Sequence, residues 1–204
     1  MQITKIESQK NPDRVNVYID GSFSFGLDNE LRYKYDLHKG KKIDNEFIEF
    51  ILEKENLNNA INVALRYLTY RQRSEKEIFD KLNSKEYPDK LIYQAIDYLK
   101  SKGYINDREF ARSFLQDKTN INKYGPIKIK NQLKLKGISN TIIDEIVDMD
   151  RDDEYQMSLE LASKRISRYK NEERSAIYRK LGGYLQRRGF SYEVVNQVLK
   201  ELVD

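Results

Sequence analysis

The sequence predicts a mainly α-helical protein, built as three tandem three-helix units preceded by a small antiparallel β element. Three observations carry that expectation. Apolar–polar alternation with a period of two is confined to the segment ending at Leu27. From about Asp44 onward the apolar residues recur at helical spacing, and the whole chain holds only three prolines. A self-similar pattern with a period of about 51 residues then runs through the helical part, as in repeat architectures.

The elements follow in order. Ile3 and Ile6, then Val15, Val17 and Ile19, then Phe23, Phe25 and Leu27 alternate with polar residues, and Asp20-Gly21 is a strong hairpin turn. Short helical stretches follow from Asp28 and break at His38-Lys39-Gly40. Leu57, Ala60, Ile61, Ala64, Leu65 and Leu68 form one buried helix face, and Ser74-Glu75-Lys76-Glu77 is a capping box for the next helix. The repeat aligns Ile78 with Ile129 and Leu181, Leu82 with Leu133 and Leu185, and Lys85 with Lys136 and Arg188. Further on, Leu91-Ile92, Ile142-Ile143 and Val194-Val195 coincide. Upstream stripes at Phe110, Ala111, Phe114 and Leu115, and at Tyr155, Leu159, Ala162, Ile166 and Tyr169, supply first helices for the later units. The expected divisions are 1–55 for the β-hairpin and α element, then 56–105, 106–150 and 151–204 for the three repeats.

Glycines agree with this parsing. Gly137 and Gly189 sit just after the second helix of their units, and Gly103 just after a third helix, where left-handed residues terminate helices. The first unit has Glu86 where the others have glycine. Gly182-Gly183 falls inside a helix, which fits either close helix packing or the close approach of a partner backbone.

Composition removes whole classes of chemistry. With no cysteine and one histidine, thiolate or imidazole metal clusters and a cysteine nucleophile are excluded, and no phosphate-binding glycine loop is present. His38 lies in an expected exposed turn. The run Asp148, Asp150, Asp152, Asp153 resembles a calcium loop, but Asp153 stands where glycine is needed and Leu159 where glutamate is needed, so it reads as a solvated linker. No cofactor and no enzymatic activity are expected. No apolar run approaches the ~20 residues of a membrane span, and the N-terminus lacks the apolar stretch of a signal peptide, so a cytoplasmic protein is expected.

Charge position is more informative than charge total. Lys and Arg number 37 and Asp and Glu 33, a net charge of +4, yet the two signs are segregated. No acid occurs between Asp117 and Asp144, where Lys118, Lys123, Lys128, Lys130, Lys134 and Lys136 lie. Between Glu173 and Glu193 stand only Arg174, Arg179, Lys180, Arg187 and Arg188, interleaved with Tyr178 and Tyr184, and Arg66, Arg71 and Arg73 repeat the pattern weakly. Third helices carry acids instead: Asp97, then Asp144, Glu145 and Asp148, then Glu193 and Glu201. That polarity is unsuited to a last helix reading the major groove, and it suits phosphate-backbone or acidic-protein contact through the second helices.

The candidate contact residues are therefore Arg71 and Arg73 in the first unit; Lys123, Tyr124, Lys128, Lys130, Lys134 and Lys136 in the second; and Arg179, Lys180, Arg187 and Arg188 in the third. Lys85, Lys136 and Arg188 end second helices, where a cation also complements the helix dipole. Lys128 and Lys180 sit near helix starts, where a cation opposes the dipole. They are therefore expected to face a partner, and reversing their charge is expected, if anything, to improve helix electrostatics. Tyr67, Tyr98 and Tyr104 are expected to pack, and Tyr124, Tyr178 and Tyr184 to be available for stacking.

Four signatures in order carry a resemblance: Arg71-Gln72-Arg73-Ser74-Glu75-Lys76-Glu77-Ile78; Gly103-Tyr104-Ile105-Asn106-Asp107-Arg108-Glu109-Phe110-Ala111; Tyr124-Gly125-Pro126 with Lys128-Ile129, Gln132-Leu133 and Lys136-Gly137-Ile138; and Leu185-Gln186-Arg187-Arg188-Gly189-Phe190. Together they resemble the RecX family of bacterial regulators of the RecA recombinase, over about Leu57 to Asp204. The resemblance implies a non-enzymatic, cytoplasmic protein that binds RecA filaments on single-stranded DNA. It would dampen their ATPase, strand exchange and co-protease activity. A monomer is expected, and the acidic third helices lead one to expect DNA contact without sequence preference. Two other classes remain open on the residues alone: a nonspecific nucleic-acid-binding protein acting without a recombinase partner, and an enzyme with an unrecognised carboxylate site.

Overall fold

The structure, a computed structural model, describes residues 1–169 and 171–203. The N-terminal sheet comprises β1 (Ile3–Ser8), β2 (Arg14–Ile19) and β3 (Ser22–Asp28), antiparallel in the order β1-β2-β3. Asp20 and Gly21 take positive φ of 48° and 90°, as a two-residue type I′ hairpin demands. The inward residues Ile3, Val15, Val17, Ile19, Phe25 and Leu27 close over Leu37, Ile43 and Ile51. Phe23 departs from the alternation. The β2–β3 register shifts between Val17 and Tyr18, so that Phe23 lies opposite Tyr18 on the outer face, 59% exposed, in an edge-on ring pair at 5.9 Å.

Helix α1 (Asn29–Lys34) leads to α2 (Asn45–Leu68), whose N-cap Asp44 accepts from the Phe47 N–H. Because α2 runs unbroken through residues 55 and 56, the junction expected between the β element and the first repeat lies within one helix. Glu55, only 4% exposed, ties that helix to the sheet. It pairs with Arg14 at 2.7 Å and accepts from the Asp28 N–H at 2.9 Å and the Asn59 amide at 3.0 Å. Such a buried carboxylate is tolerable only because its lone pairs are satisfied.

The remaining helices are α3 (Glu75–Asn83), α4 (Asp89–Ser101), α5 (Asp107–Asn120), α6 (Pro126–Leu135), α7 (Asn140–Ile146), α8 (Arg151–Ile166), α9 (Arg174–Arg188) and α10 (Tyr192–Val203). The second part of α2 with α3 and α4 makes the first repeat; α5–α7 and α8–α10 make the next two. The aligned pairs Ile78 and Leu82, Ile129 and Leu133, and Leu181 and Leu185 are all fully buried, so the repeat register read from the sequence is the structural one. The chain groups into two compact units, residues 1–70 with 81–102, and residues 71–80 with 103 onward. In the second unit one core gathers Phe110, Ala111, Ile129, Leu133, Ile138 and Ile143, and another gathers Ala162, Leu181, Leu185, Phe190, Val194 and Val198.

Successive repeats within this second unit dock through the ends of their second helices. Gly137 and Gly189, at φ of 80° and 92°, follow the C-termini of α6 and α9. A Cβ at Gly137 would lie 2.6 Å from Cβ of Lys76 at the start of α3. One at Gly189 would overlap the Cβ and backbone N of Lys128 at the start of α6. Gly125 meets the same joint, where a Cβ would stand 2.5 Å from the Gly189 carbonyl oxygen. Glu86, the counterpart in the first repeat, also has a positive φ of 62°, but it is solvent-exposed. Gly182 is the close-packing glycine: its absent Cβ would sit 3.1 Å from Leu199 of α10.

These geometries separate two costs of a side chain. Gly103→Ala, at φ +74° with open space around it, should lose only the ~1–2 kcal/mol of the left-handed conformation. Gly189→Ala should lose more, by a further ~1–3 kcal/mol of overlap. Glu86→Gly should gain up to ~1 kcal/mol, since it relieves the same backbone strain. Chemical-denaturation midpoints of the three variants check the ranking, and equal losses for Gly103→Ala and Gly189→Ala would refute the tight joint.

Candidate functional site

The basic residues singled out in the sequence fall into two groups in the second unit, and much of their charge is used at the joints between helix ends. At the first joint the expected capping box is formed: the Ser74 N–H donates to Glu77 at 3.3 Å, and the Glu77 N–H to Ser74 Oγ at 3.2 Å. Ser74 Oγ then donates to the Lys136 carbonyl at 2.8 Å, at the C-terminal end of α6. Arg71 grips the Glu77 carboxylate with both terminal nitrogens at 2.8 and 3.1 Å, and Lys136 Nζ reaches it at 2.6 Å. Burial pushes the Glu77 carboxyl up, but hydrogen bonds and charge from Arg71 and Lys136 outweigh it and hold its pKa at about 2.

The second joint is a head-to-tail meeting of helices. The Gly125 N–H donates to the Arg188 carbonyl at 2.9 Å and the Ile127 N–H to that of Gly189 at 3.1 Å. Donors at the start of α6 thereby satisfy acceptors at the end of α9. Lys128 Nζ adds a bond to the Arg187 carbonyl at 3.1 Å, and the Arg188 guanidinium donates back to the Asn122 carbonyl. Cations and rings alternate around this joint. Lys128 lies 4.0 Å from the Tyr124 ring centre, Arg188 at 5.6 Å from Tyr124 and 5.4 Å from Tyr184, and Arg165 at 4.5 Å from Tyr184. Arg165 Nε also donates to the Tyr169 hydroxyl at 3.2 Å.

The expectation for Lys128 and Lys180 needs correction. Lys128 opposes the dipole of its own helix but complements the negative end of α9, so reversing its charge would set a carboxylate against carbonyls. Lys180 is paired with Glu172 at 2.7 Å. Lys136 and Arg188 do end their helices as expected, yet each also bonds across a joint. Lys130 pairs with Asp144 at 3.1 Å, Lys123 occupies a positive-φ turn (53°) before α6, and Arg73 is half-buried. Lys134, Arg179 and Arg187 are exposed.

Third-helix acids are also committed internally: Glu145 to Arg108, and Glu193 to Arg151 at 3.9 Å. Tyr98 and Tyr104, expected to pack, are 43% and 56% exposed, whereas Tyr67 is half-buried under Lys81. Sequence reasoning missed Arg165 and Glu77 as joint residues. The four-residue spacing of Arg165 and Tyr169 and the capping-box Glu77 were the available signals. Among the described residues no group of His, Asp and Glu could hold a metal ion, and no helix is long and apolar enough to cross a membrane.

Tandem three-helix domains, preceded in the chain by a small sheet and with basic residues at the ends of their second helices, define a helical-repeat protein. Family models match the chain in order: the regulatory protein RecX N-terminal domain over residues 1–44, and the first, second and third RecX three-helix domains over 60–104, 106–146 and 152–199. The regulatory protein RecX of Clostridioides difficile is 39% identical over 99% of this chain and 96% of its own length. That of Bacillus pumilus is 35% identical over 99% of this chain and 78% of its own. A crystal structure of regulatory protein RecX superposes with a TM-score of 0.81 at 28% identity, covering 98% of each chain. That of RecX from Lactobacillus salivarius gives 0.65 at 30% identity, covering 73% of this chain and 97% of its own. The chain belongs to the RecX family.

Two outcomes follow from the joints. Glu77 has a depressed pKa, so its stabilisation is present above the ordinary carboxylate value of 4.5 and is lost as pH falls through about 2. Glu77→Gln should therefore cost ~1–2 kcal/mol at neutral pH, discounted for solvent screening, and the gap from wild type should close between pH 4.5 and 2 in denaturant titrations. A constant gap across that window would exclude the ion-pair origin. Lys128→Glu should destabilise by ~1–2 kcal/mol, while Lys180→Glu, at an exposed pair, should cost less than ~1 kcal/mol. Equal melting temperatures for the two variants would show that Lys128 does not serve the end of α9.

Proposed function

We propose that this chain binds RecA filaments on single-stranded DNA and dampens the recombinase's ATPase, strand exchange and co-protease activity, as a cytoplasmic regulator that catalyses no reaction itself. Family membership over the full length supports the regulatory class. The observation that carries the contact surface is where the charges go: the third-helix acids Asp144, Glu145 and Glu193 pair with cations of their own repeat, while Lys134, Arg179 and Arg187 of the second helices are left outward. Outward cations on the second helices of two successive repeats suit a polymer whose own sites repeat, and phosphate or carboxylate contacts of this kind need no base reading. The joint cations Lys128, Lys136 and Arg188 hold the repeats in the spacing that presents those side chains.

The test is recombinase ATPase on single-stranded DNA, measured with and without this protein at constant DNA coverage. Wild type should inhibit. Lys134→Glu/Arg179→Glu, which touches neither joint, should weaken inhibition roughly fivefold or more, because charge reversal adds repulsion to lost attraction, while the acid in the last turn of α6 should cost no more than about 1 kcal/mol and leave the protein folded. Undiminished inhibition by that variant would remove the outward cations from the contact. Inhibition that tracks DNA occupancy alone, with a log–log salt slope near −0.7 per phosphate contact, would favour the nonspecific nucleic-acid-binding reading.

A further inference from the structure

We propose that the cleft beside Phe114 seats one nucleotide unit, with its phosphate held by lysine ammoniums and its base laid on the Phe114 ring, which stacks on the buried ring of Phe110. The cleft, about 400 Å³, lies wholly within the second compact unit, between α5 and the segment leading into α3. It falls in the ~300–1,000 Å³ range of small-ligand sites. The rings of Phe110 and Phe114 are stacked 5.9 Å apart at 27°, and Phe114 is half-buried with its side toward the cleft.

Lys118 carries the inference furthest. Among the described residues its ammonium meets no carboxylate and no hydrogen-bond acceptor; it rests 5.1 Å from the Phe114 ring centre. Lys136 Nζ stands 6.0 Å from the same ring while bound to Glu77. A half-buried cation resting on a ring face has a flexible four-carbon stem, and it can swing to an incoming phosphate and uncover that face for a base. The rim adds Ser113 and Gln72 as hydrogen-bonding partners. Charge favours an anion by a single unit: Arg71, Lys118 and Lys136 against Asp117 at the rim and Glu77 at the joint. An acidic peptide would satisfy the lysines but leave the ring stack unused, whereas a nucleotide uses both. The inference does not rest on the recombinase reading, because it concerns binding by this chain alone.

The experiment is fluorescence anisotropy of a fluorescein-labelled oligothymidylate with the full chain, recombinase absent, across a salt series. Phe114→Leu keeps apolar volume and removes the stacking face, so affinity should fall about tenfold with an unchanged salt slope. Lys118→Gln should weaken binding several-fold and reduce the slope by about 0.7. Asp117→Asn should tighten it. Displacement of the oligonucleotide by thymidine monophosphate would place a free nucleotide in the cleft, and failure of the monophosphate with both losses intact would require a strand. Wild-type affinity and slope in Lys118→Gln overturns the proposal even where Phe114→Leu is too unstable to assay. So does displacement by oligoglutamate as effective as by unlabelled oligothymidylate.

Discussion

The end of one second helix meeting the start of another is the constraint around which the rest of the second unit is arranged. A helix leaves unsatisfied carbonyls at its C-terminus and unsatisfied N–H groups at its N-terminus, and burying either alone is costly. Setting the end of α9 on the start of α6 lets each satisfy the other, through the Gly125 and Ile127 N–H groups and the Arg188 and Gly189 carbonyls. Opposite dipole ends are juxtaposed at the same time. The approach is so close that no side chain fits at Gly189 or Gly125, which explains glycine at two positions that share no helix. The first joint follows the same plan with a different donor, the Ser74 hydroxyl on the Lys136 carbonyl.

This arrangement divides the basic residues by task. A cation at the end of a second helix complements its own dipole and also reaches across: Lys136 to Glu77, Arg188 to the Asn122 carbonyl. Such residues bond the helix ends that meet at each joint. Lys134, two residues before Lys136, and Arg179, nine before Arg188, carry no bond of this kind and are outward. The cations that bond across a joint and the cations left outward are therefore different residues of the same basic run, although the sequence shows them as one stretch without acids.

What was legible in the sequence is what periodicity encodes. The buried apolar pairs of the second helices, the repeat register through Ile78, Ile129 and Leu181, the Ser74 capping box and the helix-ending glycines are all local patterns, and each holds. In α8, by contrast, the buried residues are Glu154, Ser158 and Ala162, and most of the expected stripe is only partly buried. What failed depends on a neighbour that spacing cannot name. Lys128 looked unpaired because its partner is a carbonyl 59 residues away. Phe23 looked inward because one register shift, invisible in composition, turned it to Tyr18. Tyr98 and Tyr104 sat at or beside core spacing but at the edge of the buried stripe, where a ring can turn to solvent.

The aligned position Glu77, Lys128, Lys180 shows how the joint dictates charge. Glu77 and Lys128 stand in the first turn of a second helix, where intrinsic helix electrostatics favours an acid, whereas Lys180 lies past the first turn of α9 (Arg174–Arg188), beyond that preference and not at the helix start the sequence led one to expect. Glu77 satisfies that preference and also faces the ammonium of Lys136. Lys128 violates it, because what faces it is the carbonyl end of α9, and a carboxylate there would meet negative dipoles and an acceptor with no donor. Lys180, past the first turn, is paired instead with Glu172, eight residues earlier in its own repeat. A repeat position with both signs of charge is therefore not a variable surface site: its sign is set by the group across from it, which here is a lysine, a helix terminus or a neighbouring acid in turn.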